Sequence, residues 1–101
     1  MMHASDHAEA EMTFLPTEQG GRSHAALSGY SPVLSYDGEH LIVRLTFPNG
    51  QVRPGETTRS SLWLFTPEAH QGRLYPGKAF EILEGSRVVA HGRVTRIFRF
   101  A

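Results

Sequence analysis

The sequence predicts a single all-β domain, a six-stranded antiparallel sheet closed into a barrel. Turn-forming groups that contain glycine or proline recur about every 8–12 residues, a spacing typical of all-β sandwiches and barrels. Between these turns apolar and polar residues alternate at period two, as in strands with one buried face. Closure into a barrel is expected because it protects the edges of so small a sheet. The turn groups are Gly20-Gly21, Asp37-Gly38, Pro48-Asn49-Gly50, Pro54-Gly55, Pro76-Gly77 and Glu84-Gly85-Ser86.

The turn groups divide the chain into six predicted strands. Residues 1–8 are polar and small, and we interpret them as a flexible tail ahead of a domain at residues 9–101. The strands are expected at about residues 9–16, 30–36, 39–47, 57–66, 78–84 and 87–99.

Two of these strands carry detailed expectations. In the fourth, apolar residues at 62–65 occupy both faces, as in a central strand, and Trp63 is interpreted as a core residue. In the last, Val88 is expected on the side opposite Val89, and the alternation slips near Arg96. That slip predicts a β-bulge.

Composition limits the classes of function. The 101 residues carry ten basic and ten acidic side chains, so no attraction of the whole domain to nucleic acid or to an anionic membrane is expected. Acidic residues are concentrated before residue 40, whereas the segment after Gly85 carries four arginines and no acid. With no cysteine, no long apolar run and no signal-like N-terminus, a cytoplasmic location without membrane contact is expected.

Several segments, taken in order, resemble the C-terminal (third) domain of bacterial elongation factor Tu. The resemblance covers about residues 10–98 and implies a six-stranded antiparallel barrel. The segments are Glu18-Gln19-Gly20-Gly21-Arg22, Gly29-Tyr30-Ser31-Pro32, Val52-Arg53-Pro54-Gly55-Glu56, Leu64-Phe65-Thr66-Pro67 and the run from Phe80 to Gly92.

The resemblance also implies partners. In elongation factor Tu this domain contacts the T-stem backbone of tRNA, the GTPase domain and the nucleotide-exchange factor. The RNA-facing positions keep Arg22, Glu84 and Gly85, and Arg96 stands where the family has a lysine. Other polar positions of the family are lost, which implies weak RNA binding at best, because phosphate contacts supply most of the affinity for an RNA backbone.

Motifs for catalysis, metals and cofactors are weak. The run from Gly72 to Ala79 nearly matches a phosphate-binding loop, but Ala79 replaces the hydroxyl residue and a strand is expected to follow, so no nucleotide is expected. That loop is longer than in the family, which makes Tyr75 a candidate partner contact. The histidines lack ligand spacing, and His91 is the one best placed to touch a ligand. No hydrolase motif is present, and no enzyme activity or cofactor is expected.

Two functions remain open. The first is a non-catalytic module that binds a protein partner. The second is a module that binds tRNA or another structured RNA through its basic last strand. RNA affinity would fall steeply with salt, whereas an apolar protein interface would respond little. The candidate contacts for either partner are Arg22, Tyr75, Glu84, Gly85, Arg87, His91, Arg93 and Arg96.

Overall fold

The structure, a computed structural model, describes residues 6–101 and contains a closed six-stranded antiparallel β-barrel. The barrel order is β1-β6-β4-β3-β7-β8, and β8 pairs back onto β1. This confirms the predicted fold class. The strands are β1 Ala8–Phe14, β2 Ala26–Leu27, β3 Val33–Tyr36, β4 Glu39–Thr46, β5 Gln51–Val52, β6 Thr57–Leu64, β7 Ala79–Glu84 and β8 Arg87–Ile97.

The short elements lie outside the barrel ladder. Strands β2 and β5 form a separate two-stranded sheet, which the sequence did not predict because two-residue strands are too short to show alternation. Two short 3-10 helices follow β1 and β6, at Thr17–Gln19 and Pro67–His70. Among residues 6–101, no helix has the length and apolarity that a membrane crossing requires.

Two-residue turns close the β3–β4 and β7–β8 hairpins. Asp37 and Gly38 both have positive φ, 50° and 79°, which is the backbone of a type I′ turn between β3 and β4. Gly85 has φ 61° in the turn between β7 and β8, where glycine tolerates the left-handed conformation. These turns match the right-handed twist of the strands and fix the register of both hairpins.

The barrel interior is filled by residues at alternate strand positions. Gly92 of β8 faces inward, where a Cβ would overlap the tip of the Phe80 ring and lie 3.1 Å from Met12 Cγ. Glycine is therefore required at this position for Phe80 to fill the barrel. The largest fully buried apolar side chains are Phe14, Met12, Leu34, Leu45, Leu62, Leu64, Leu74, Ile82, Val43 and Val52.

A β-bulge interrupts the β1–β8 ladder where the sequence predicted one. Glu9 is opposite Arg96, but Ala10 is opposite Val94, so Thr95 is the extra residue. The Thr95 hydroxyl donates to the Glu9 carbonyl oxygen at 3.0 Å, so this carbonyl has a hydrogen-bond donor next to the bulge. The bulge predicted near Arg96 is confirmed.

A second bulge lies between β7 and β8 and was not predicted. Ile82 is opposite Ala90 and Leu83 is opposite Val88, which leaves Val89 as the extra residue. Val89 and Ala90 are both fully buried as a result. The simple alternation expected around Val88 and Val89 does not continue into Ala90, because the extra residue shifts it by one position.

The N-terminal boundary differs from the expected one. Asp6, His7 and Ala8 are buried, and β1 begins at Ala8. The His7 N–H donates to the Leu62 carbonyl at 2.9 Å, and its carbonyl accepts from the Phe98 N–H at 2.8 Å. The flexible-tail prediction is wrong for residues 6–8, because these backbone hydrogen bonds hold the chain between β6 and the end of β8. Residues 1–5 of that prediction lie outside the described residues.

Candidate functional site

Four of the eight predicted contacts meet at one end of the barrel. Arg22, in the loop after β1, forms an ion pair with Glu84 at the end of β7. The Tyr30 hydroxyl donates to the same carboxylate, and Arg87 Nη2 lies 3.4 Å from Glu84 Oε1. Gly85 makes the adjoining turn. The structure therefore brings together the positions that the resemblance identified as RNA-facing.

Within this cluster the donors of Arg22 face the protein. Its Nε donates to the His24 carbonyl at 3.2 Å, and its guanidinium lies 4.6 Å from the centre of the Tyr30 ring. Burial raises the pKa of Tyr30, so the phenol stays neutral and donates to Glu84. Arg22 thus fastens its own loop to the β7–β8 hairpin, with 22% of its side-chain surface exposed.

Gly21 explains the shape of the same loop. A Cβ at this position would overlap the carbonyl oxygen of Leu15, so the backbone can approach that strand end only at a glycine. The Gly21 N–H donates to the Pro16 carbonyl at 3.0 Å, which closes the turn. Both contacts show that Gly21 sets the shape of this loop.

The basic residues of β8 lie beside acidic neighbours. Arg93 is opposite Glu11 and Arg96 is opposite Glu9 across the β1–β8 ladder. On the other side, His91 is opposite Glu81 of β7, with 3.9 Å between Nδ1 and the carboxylate oxygen. The basic C-terminal strand of the sequence is therefore flanked by carboxylates in the fold.

His91 and Arg93 line a shallow groove of about 570 Å³ on the outer face of β3, β7 and β8. The groove also presents Asp37 and Glu81. Some of its polar groups already have partners within the protein: Lys78 Nζ lies 2.7 Å from Asp37, and Arg93 Nη1 donates to the Gly77 carbonyl at 2.6 Å. The groove has mixed charge and carries no clear preference for a ligand.

Tyr75 stands away from the Arg22–Glu84 cluster. It is 51% exposed in the loop before β7, with the Lys78 ammonium 5.9 Å from its ring centre. That loop precedes Ala79, at the opposite end of β7 from Glu84. The eight predicted contacts consequently do not form one surface.

A different surface, on the outer face of β4 and β6, was missed. We call Ile42, Arg44, Trp63 and Phe65 the outer patch. Ile42 and Phe65 are each 50% exposed, and Arg44 is directly opposite Trp63 in the β4–β6 ladder. The Arg44 guanidinium carbon lies 5.4 Å from the Trp63 ring centre and 5.9 Å from that of Phe65. These distances are those of cation–π contacts.

Trp63 is held in place from its other side by the N-terminal segment. The His7 ring lies 4.6 Å from the Trp63 ring, and His7 Nδ1 accepts the Leu64 N–H at 3.0 Å. Burial lowers the pKa of His7, so the imidazole is neutral and Nδ1 is free to accept. Arg99 adds a guanidinium 5.7 Å from the same ring.

The interpretation of Trp63 as a core residue is wrong. Leu62 and Leu64 take the inward positions of β6, so Trp63 lies on the outer face and is only partly buried. The barrel is a single closed sheet, so the outward side chains of β6 lie on the face away from its core. When a strand of such a barrel is apolar on both faces, one of the two faces lies on the outside of the barrel. This outer apolar surface was not predicted from the sequence.

One buried polar pair lies inside the fold. The Tyr36 hydroxyl and His70 Nδ1 are 2.6 Å apart, and His70 is fully buried. Burial lowers the pKa of His70 and raises that of Tyr36, so both are neutral. His70 Nε2 has no hydrogen-bond partner among residues 6–101. Since this histidine is closed off from solvent, the pair is structural.

Two further observations concern protein families and metal binding. No protein-family model matches the chain. Within residues 6–101, no group of three or more histidine, aspartate or glutamate side chains is arranged to hold a metal ion. The outer patch and the Arg22–Glu84 cluster are therefore the surfaces from which a function can be argued.

Proposed function

We propose that this barrel is a non-catalytic binding module that docks a protein partner on its outer patch. The observation that carries the proposal is the pair Ile42 and Phe65, both half-exposed at the same end of neighbouring strands, with Arg44 lying against the aromatic rings beside them. Aromatic residues and arginine are the residue types most enriched at the energetically important centres of protein interfaces.

The rigidity of the outer patch supports the same function. Trp63 is packed against His7 on one side and Arg44 on the other. The strands that carry the outer patch, β4 and β6, belong to a closed sheet. A surface that is ordered before binding loses less conformational entropy when a partner docks. The outer patch therefore has the apolar content and the fixed shape that protein recognition requires.

The alternative, RNA binding through β8, has weaker support. Arg22 and Arg87 are engaged with Glu84, and Arg93 and Arg96 face acidic residues of β1. The Glu84 carboxylate, which pairs with both Arg22 and Arg87, would repel phosphate and reduce the release of counterions that drives RNA binding. The resemblance to elongation factor Tu remains an argument about the fold, and a role in translation depends on the partner.

Affinity capture with two matched variants tests the proposal. The tagged protein, its Phe65→Ser variant and its Leu27→Ser variant are incubated with a lysate of the source cells at about 50 mM and about 200 mM salt. Leu27 is the control because it is 61% exposed on β2, outside the outer patch. Bound protein and bound RNA are both identified.

We expect a protein that is retained at both salt concentrations by the wild type and by Leu27→Ser, and lost from Phe65→Ser. Equal recovery by all three proteins would remove the outer patch from the proposal. Recovery of RNA at low salt only would favour the alternative, and the Arg22–Glu84 cluster and β8 would become the surfaces to mutate.

A further inference from the structure

The outer patch carries a cation, Arg44, that lies against aromatic rings. Arg44 forms no salt bridge with any carboxylate among residues 6–101, and its contacts there are with the Trp63 and Phe65 rings. By contrast, Arg22, Arg73 and Arg87 are each within 4 Å of a glutamate. Arg44 is thus set apart from the arginines that stabilise the fold by ion pairing.

The Arg44 side chain lies against aromatic rings. Its guanidinium carbon is 5.4 Å from the Trp63 ring centre and 5.9 Å from that of Phe65, and Arg99 also lies against the Trp63 ring. The aromatic rings hold the Arg44 side chain over the sheet and reduce the number of its rotamers. An ordered guanidinium of this kind is suited to a carboxylate, which it can bind through two parallel N–H donors.

We infer that the protein partner contributes an acidic side chain to Arg44 and a large apolar side chain to Ile42 and Phe65, within one short segment. The inference rests on the proposed function, since it specifies the partner of the same outer patch. Docking of the apolar side chain would exclude water from Arg44, and a charge-assisted hydrogen bond is stronger where water is excluded.

The aliphatic part of the surface favours a peptide segment over a nucleic acid. Ile42 is opposite Val33 across the β3–β4 ladder, which extends the apolar surface away from the arginines. Single-stranded nucleic acid combines stacked bases with a series of phosphates and requires a basic groove that follows the backbone. Here Arg44 stands at one side of an aliphatic and aromatic surface, and this arrangement matches one carboxylate beside one apolar anchor.

Selection from a peptide library tests the inference and does not require the partner to be identified first. Random twelve-residue peptides displayed on phage are selected on four immobilised proteins: the wild type, Arg44→Gln, Phe65→Ser and Arg53→Gln. Arg53 is the matched control because it is exposed and lies in the turn before β6, outside the outer patch. The selected pools are sequenced, and single peptides are measured through the fluorescence of Trp63, the only tryptophan.

We expect peptides selected on the wild type and on Arg53→Gln to be enriched in aspartate or glutamate next to a large apolar residue. Arg44→Gln should lose the acidic enrichment and keep the apolar one. For a selected peptide, replacing its acidic residue by the amide should weaken binding about tenfold on the wild type and less than about twofold on Arg44→Gln.

Two results would overturn the inference and leave the proposed function standing. One is an apolar enrichment that Phe65→Ser abolishes but that shows no acidic preference. The other is an acidic preference that survives in Arg44→Gln. A pool with equal binding to Phe65→Ser would instead contradict the outer patch itself, so the two failures are distinguishable.

Discussion

Arg22 and Glu84 are 62 residues apart in the sequence and form an ion pair that ties the loop after β1 to the β7–β8 hairpin. Both side chains are largely shielded, with 22% and 29% of their surface exposed, and the Tyr30 hydroxyl shares the same carboxylate. This pair fixes one end of the barrel. It also occupies two of the side chains that the sequence had identified as candidate contacts for RNA or a protein partner.

Removing Arg22 should destabilise the protein. In Arg22→Ala, Glu84 keeps Tyr30 as a donor but loses its closest cation, and we expect the free energy of unfolding to fall by about 1–3 kcal/mol. Arg87→Ala is the matched control, because Arg87 is more exposed and lies farther from the carboxylate. Its effect should stay within about 0.5 kcal/mol. Urea unfolding followed by Trp63 fluorescence measures both, and equal losses would contradict this assignment.

Gly92 should be intolerant of a side chain. In Gly92→Ala the new methyl group overlaps the Phe80 ring, so we expect a loss of about 1–3 kcal/mol from overpacking. Phe80→Leu removes the ring tip, and the double variant should be more stable than the sum of the two single changes by about 1 kcal/mol. Strict additivity in the urea unfolding data would show that the ring does not limit this position.

Stability should fall in mildly acidic solution. Burial lowers the pKa of His7 and His70 below the ordinary value of 6.5, so below that pH the unfolded chain binds protons that the folded protein excludes. The free energy of unfolding should be level above about pH 7. It should then decrease by up to about 1.4 kcal/mol per pH unit for each histidine, until the pH reaches the folded pKa.

Variants separate the contributions of the two histidines. His7→Asn keeps an acceptor for the Leu64 N–H but does not titrate, so its unfolding free energy should depend less on pH between about 6.5 and 5. His24→Asn, at an exposed histidine, is the matched control for the substitution itself. The slope is measured by urea unfolding at several pH values, and identical slopes for all three proteins would contradict the role of His7.

The outer patch should contribute little to folding. Phe65→Ser is expected to change the free energy of unfolding by less than about 1 kcal/mol, since half of the Phe65 side chain is already in water. Phe14→Ala, which empties a site in the core, should cost about 3–5 kcal/mol. Thermal unfolding of both variants measures the difference. A large loss in Phe65→Ser would assign that residue to the core and weaken the docking proposal.

Turn chemistry and alternation were sufficient to predict the barrel, because both are local properties of the chain. Asp37-Gly38 and Glu84-Gly85-Ser86 carry the backbone conformations that two-residue hairpins need, so six strands and their order of pairing at the hairpins followed. The bulge near Arg96 was visible as a change of phase. The bulge at Val89 was not visible, because three apolar residues in succession, Val88 to Ala90, show no alternation whose phase could change.

The proposed binding surface was harder to predict for two reasons. The arginines of β8 were assigned to a basic surface from the sequence alone, which does not show the residues across the sheet. Arg93 lies opposite Glu11 and Arg96 lies opposite Glu9, and this placement depends on the register between β1 and β8. Trp63 was assigned to the core because its neighbours are apolar. Only the closure of the barrel in a single layer places Trp63 on an outer face beside Arg44.

Photo-crosslinking from position 65 tests the central claim most directly. Phe65→benzoylphenylalanine places a reactive group of similar shape in the outer patch, and Leu27→benzoylphenylalanine is the control on an exposed site elsewhere. After irradiation of source cells that express each variant, we expect a covalent adduct with one protein from position 65 and none from position 27. An adduct with RNA at position 65, or the same protein adduct from both positions, would contradict the account.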